Sequence, residues 1–163
     1  MSILIRIAFR ILACIGLACS LQAQTGPLRF RIRVSPQLGN QSQTGRLIVL
    51  LTTRPDMQNE VRPILADTSV WVAAREVRHW KSGEVLDFDP DELAFPDALS
   101  HAPAGHYRVM ALLDVNHRYA YSGPYRGLNA GDLRSKVMLV KDLDPRRTSP
   151  IEISLTDRIP ETP

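Results

Sequence analysis

Leu28-Arg29-Phe30-Arg31-Ile32-Arg33-Val34 alternates apolar and cationic residues without a miss. A period of two places successive side chains on opposite faces of an extended strand. Leu28, Phe30, Ile32 and Val34 are therefore expected to face a core, and Arg29, Arg31 and Arg33 to face water. No aromatic platform or wider basic cluster accompanies the three arginines. They read as the solvent side of an amphipathic strand, not as a nucleic-acid surface.

The rest of the chain continues in β-type patterns. Gly45 to Thr53 is a nearly unbroken apolar, β-branched run, as in a strand covered on both faces. Thr68 to Trp80 fits either a helical face or a strand. The strand is preferred because Lys81-Ser82-Gly83 supplies a turn and Glu84 to Asp89 alternates behind it, which predicts a hairpin. Asp89 to Pro96 is rich in breakers, with room for one helical turn. Strands follow at His106–Asp114, Lys136–Val140 and Pro150–Leu155.

About seven short strands with no long helix predict an all-β, immunoglobulin-like two-sheet sandwich. With 163 residues, 44% of them hydrophobic, one core is the economical reading, and residues 24–163 form a single domain with a linker-like C-terminal end.

Residues 1–23 read as a signal peptide. Arg6 and Arg10 are the only charges there, and Ile11 to Leu21 is too short an apolar run for a span of ~20 residues. Ala23, with Leu21 two positions before it, marks cleavage ahead of Gln24. The mature chain then has 140 residues, 163 less the 23 of the leader, and its formal charge falls from +3 to +1. Cys14 and Cys19 leave with the leader, removing thiolate and disulfide chemistry. The expected address is secreted or periplasmic, with no membrane span in the mature chain. Lipidation at Cys19 and an uncleaved anchor are the other readings, the first weakened by the bulky Leu17.

Nothing in the chain carries a catalytic pattern. The Gly-x-Ser-x-Gly elbow of serine hydrolases does not occur, so no catalytic residue is assigned. His79, His101, His106 and His117 lack zinc-ligand spacing and read as surface groups. Asp87, Asp89, Asp91, Glu92 and Asp97 lack the order of a calcium loop, as do the residues after Asp114-Val115-Asn116. Gly123, Gly127 and Gly131 match no phosphate-binding arrangement. No cofactor or metal is assigned, and Trp71 and Trp80 read as core or sheet-edge packing.

The unusual segment is the twenty-residue connection Val115 to Arg134, which holds three of the four tyrosines. Such a length is uncommon for a plain loop in a compact domain. Arg118, Tyr119, Tyr121, Tyr125 and Arg126 concentrate the side chains that dominate protein interfaces. Two roles follow: a partner-binding loop, or tyrosines folded back to cap an open end of the sandwich.

Three stretches taken together, Trp80-Lys81-Ser82-Gly83-Glu84, Ala94-Phe95-Pro96 and Ala104-Gly105-His106-Tyr107-Arg108-Val109-Met110-Ala111-Leu112-Leu113-Asp114, resemble a known arrangement. It is the N-terminal β-sandwich domain that precedes an α/β-hydrolase module in secreted bacterial esterases of the enterochelin-esterase and esterase D group. The resemblance implies a non-catalytic accessory module whose partner is an α/β-hydrolase module or a surface substrate. The chain reaches Glu161-Thr162-Pro163 about where that family's linker to the catalytic module begins. A stand-alone accessory protein and the amino-terminal part of a longer esterase are both consistent with this. A hydrolase subunit and a carbohydrate-binding or adhesion module are the alternative functions.

Overall fold

The computed structural model describes residues 26–62, 68–115 and 129–160. The strands are β1 (Phe30–Val34), β2 (Gln43–Thr52), β3 (Val70–Trp80), β4 (Val85–Phe88) and β5 (Ala94–Phe95), followed by β6 (Gly105–Asp114), β7 (Leu133–Arg134), β8 (Met138–Leu143), β9 (Ile151–Leu155) and β10 (Asp157–Arg158). Short 3-10 turns at Pro36–Leu38 and Leu99–His101 are the only helical elements among the described residues. No helix there is long and apolar enough to cross a membrane.

Two sheets face each other. One runs β4-β1-β9; the other runs β10-β7-β6-β2-β3-β5, with β8 also paired to β6. Between them Phe30, Ile32, Phe88 and Ile153 from the small sheet meet Leu47, Val49, Leu51, Val109 and Ala111 from the large one. The chain is an all-β sandwich. The period-two reading of the first strand holds, since Leu28, Phe30, Ile32 and Val34 are all buried. Each such side chain contributes about 1.5–3 kcal/mol relative to exposure.

β2 is covered on both faces, and the second cover comes from a different part of the chain. Leu47, Val49 and Leu51 enter the core between the sheets. Leu50, on the opposite face, packs in a separate cluster with Met57, Val61, Val70 and Met110. The irregular segment after β2 thus folds back over its own sheet, which is why the sequence here shows a continuous apolar run.

The region 68–80 is a strand, and its partners correct the expected hairpin. β3 pairs with β2 and β5, whereas β4 pairs antiparallel with β1 in the other sheet. The turn between them redirects the chain. Gly83, at φ 81°, donates its N–H to Val34 O, while Trp80 Nε1 donates to Glu84 O. Phe88 then sits opposite Phe30, their rings 6.3 Å apart. The expected count of about seven strands also falls short, because β5, β7 and β10 are two residues each and leave no periodic trace.

Candidate functional site

Arg118, Tyr119, Tyr121, Tyr125 and Arg126 lie outside the described residues, as do residues 1–23, expected to be a signal peptide. The two stems of their segment are described, and one side chain joins them. Asp132 is 1% exposed. Its Oδ1 accepts the N–H of Val115 at 3.1 Å and its Oδ2 that of Asn129 at 2.8 Å. Hydrogen bonds to a charged group contribute about 1.5–3 kcal/mol each, so this carboxylate is a strong clasp across the ends of residues 116–128.

The surrounding backbone fixes the clasp. Gly131, at φ 91°, adopts the left-handed region and donates its N–H to Ile159 O. Ile159 N–H donates in return to Asp132 O, and Arg158 Nη1 to Gly131 O. On the other side Gly45 approaches the end of β6 so closely that a Cβ there would sit 2.2 Å from Asp114 O. Val115 and Asn129, the described residues on either side of 116–128, are therefore held together on the rim of the large sheet.

The other sequence candidates are dispersed. Asp89 pairs with Arg29 at 2.8 Å, and Asp87 and Glu152 flank Arg31 at 3.7 and 2.8 Å. Arg33 donates to the Ser154 hydroxyl. The arginine stripe and part of the acidic cluster thus neutralise one another across the outer face of the small sheet. Asp91 Oδ1 accepts the N–H of Ser100. Trp80 is buried, and Trp71 is half-buried against the core. Among the described residues no group of His, Cys, Asp and Glu is arranged to hold a metal ion.

His101 and His106 are exposed, each beside an aspartate. His101 Nδ1 lies 3.0 Å from Asp97 Oδ2, and this hydrogen bond, together with the Ala98 N–H, holds the Asp97 carboxyl below its ordinary 3.8. A carboxylate shifted in that direction stabilises the fold above its unfolded-state value and loses the effect as pH falls through the folded-state value. In His101→Ala the Asp97 carboxyl is expected to titrate closer to 3.8, read by carboxyl NMR; an unmoved titration would assign the shift to Ala98 alone.

A second feature is a groove of about 420 Å³ between the sheets' edges, lined by Gln37, Ser135, Lys136, Met138, Glu152, Ile153, Ser154, Thr156 and Asp157. The Thr156 hydroxyl there is buried with no hydrogen-bond partner. Such a group carries a desolvation cost. Sequence reasoning assigned neither this groove nor Asp132 to a site. Neither is marked in the sequence: Asp132 and Ser135 are single polar residues beside a short strand, and only the fold buries them.

No family model, no curated protein and no solved structure matches the chain.

Proposed function

We propose that the chain is an exported, non-catalytic β-sandwich module that binds a partner domain or a substrate surface through the segment holding Arg118, Tyr119, Tyr121, Tyr125 and Arg126. The observation that carries this reading is the Asp132 clasp. A buried carboxylate joins the residues that flank the Tyr/Arg-rich segment, and binding residues are commonly carried by segments tied to such a scaffold. The resemblance read in the sequence to the accessory domain of secreted esterases would make that partner an α/β-hydrolase module or a surface substrate.

An immunoglobulin-like arrangement is supported by Tyr107. Its ring is buried at the start of β6, and its hydroxyl donates to Pro103 O at 2.6 Å, four residues upstream. That is the contact of a tyrosine corner. Burial raises the Tyr107 pKa above the ordinary 10.0.

The test uses the exported protein, with Gln24 expected as its first residue on N-terminal sequencing. Short acyl esters should show no turnover above background. A purified hydrolase module of the enterochelin-esterase type should co-elute with it, and Tyr119→Ala/Tyr121→Ala/Tyr125→Ala should abolish co-elution without changing the melting temperature. Ester hydrolysis that follows the protein through every purification step, or co-elution untouched by the triple variant, would overturn the reading.

A further inference from the structure

β8 runs antiparallel to β6 with one interruption. Gly105 pairs with Leu143 and Tyr107 with Val140, so Lys141 and Asp142 together oppose the single residue His106. That is a β-bulge, whose extra residue steps out of the regular ladder. Asp142 carries its conformation: a φ of 51° lies in the left-handed region, which few non-glycine residues other than aspartate and asparagine enter readily. The Asp142 N–H donates to His106 Nδ1 at 3.1 Å, and the Asp142 carboxylate oxygen Oδ1 lies 3.7 Å from the same nitrogen.

One ring nitrogen thus faces a donor and an acceptor of the same residue, and its protonation state chooses between them. A ring nitrogen accepts an N–H only through its lone pair, so Nδ1 is bare and the neutral ring carries its proton on Nε2. A proton on Nδ1 removes the acceptor and sets N–H against N–H, while the carboxylate alongside offers the new N–H a partner. Histidine is the side chain that ordinarily makes this change near neutral pH, and here 64% of it is open to solvent. The charged residues next to it in the sheet are Lys141 and Asp142 across the ladder and Arg108 two residues along β6. Arg54 and Asp56, paired to each other, stand just past the end of β2, where Thr52 pairs with Arg108.

We propose that His106 is a proton-operated latch on this bulge: the neutral ring holds the Asp142 N–H and keeps the left-handed turn closed, and the imidazolium releases it in exchange for the Asp142 carboxylate. The opening is local. Leu143 is buried on one side of it, and on the other Val140 pairs with the buried Tyr107. It sits at the corner that leads from β8 back to β1, since Pro145 O accepts the N–H of Leu28. The latch requires neither the Tyr/Arg segment nor the esterase resemblance.

The experiment follows the 15N-labelled protein from about pH 8 to about pH 5, the range in which histidine ordinarily changes charge. Corrected for the pH dependence of free-peptide exchange, protection of the Asp142 amide should fall at least ten-fold along the curve on which the His106 ring titrates, with the Val109 and Ala111 amides unchanged. Before the step the ring nitrogens should report the proton on Nε2. His106→Asn puts an amide oxygen where Nδ1 stood and does not titrate, so the Asp142 amide should stay protected throughout. In His106→Ala it should stay at the low-pH level throughout, and melting curves report the fold of both variants. A neutral ring protonated on Nδ1, an Asp142 amide indifferent to the ring titration, or a pH step that survives in either variant would overturn the proposal.

Discussion

Asp132→Ala is expected to lower stability by about 3–5 kcal/mol and the melting temperature by roughly 10 °C or more. The side chain is buried, and two backbone donors, Val115 N–H and Asn129 N–H, depend on its two oxygens. Alanine leaves both donors without the carboxylate, in a region that is partly buried. Asp132→Asn should recover no more than half of the loss, since its amide offers one oxygen and turns an N–H2 toward the second donor. Native-state hydrogen exchange checks the mechanism separately from the magnitude, because the Val115 and Asn129 amides should exchange faster than their neighbours in either variant. A melting temperature within 2 °C of the parent would mean that the stems are held by something else.

The second large effect is expected at Gly45, by overcrowding instead of loss. An added Cβ would lie 2.2 Å from Asp114 O, and 3.0 Å from both Asp114 C and Val115 Cα. All three are backbone atoms, so no flexible side chain can swing aside. Overpacking costs about 1–3 kcal/mol and occasionally more, and Gly45→Ala should reach the upper part of that range. The position also follows a register shift between Gln43 and Gly45 in the β2–β3 ladder, so relaxation would have to move β2 against β3 or against β6. Urea denaturation measures the loss; an unchanged midpoint would show that the β6 terminus gives way freely. Coupling is testable in the double variant, because Gly45 touches the residue whose N–H Asp132 binds, and such neighbours are not expected to add.

How far the sequence reaches into this fold depends on the range of the interaction. β1 announces itself because its alternation is local, and β2 because apolar cover on both faces writes an unbroken run. The partner of β4 is not written locally. Its alternation would serve a hairpin with β3 equally well, and the choice falls to Phe88 against Phe30 and Asp89 against Arg29, contacts more than fifty residues apart. The Tyr/Arg segment is legible as composition, but its anchor is not. Asp132 looks like any aspartate after a glycine until the fold brings Val115 beside it. The groove is hidden for the same reason, since its walls come from around residue 136 and from residues 152–157.

The parallel pairing of β1 with β9 also fixes a timetable. Residues 30–34 gain one neighbour when residues 85–88 arrive, but the other comes only with residues 151–155, about 120 residues further along the chain. Until then Phe30 and Ile32 lack the cover of Ile151 and Ile153. Contacts between such distant segments must close a long loop before they give anything back, and they set a slow step in folding. The first strand of this domain is thus completed by its last major one, so the sandwich reaches its final form late, as a whole.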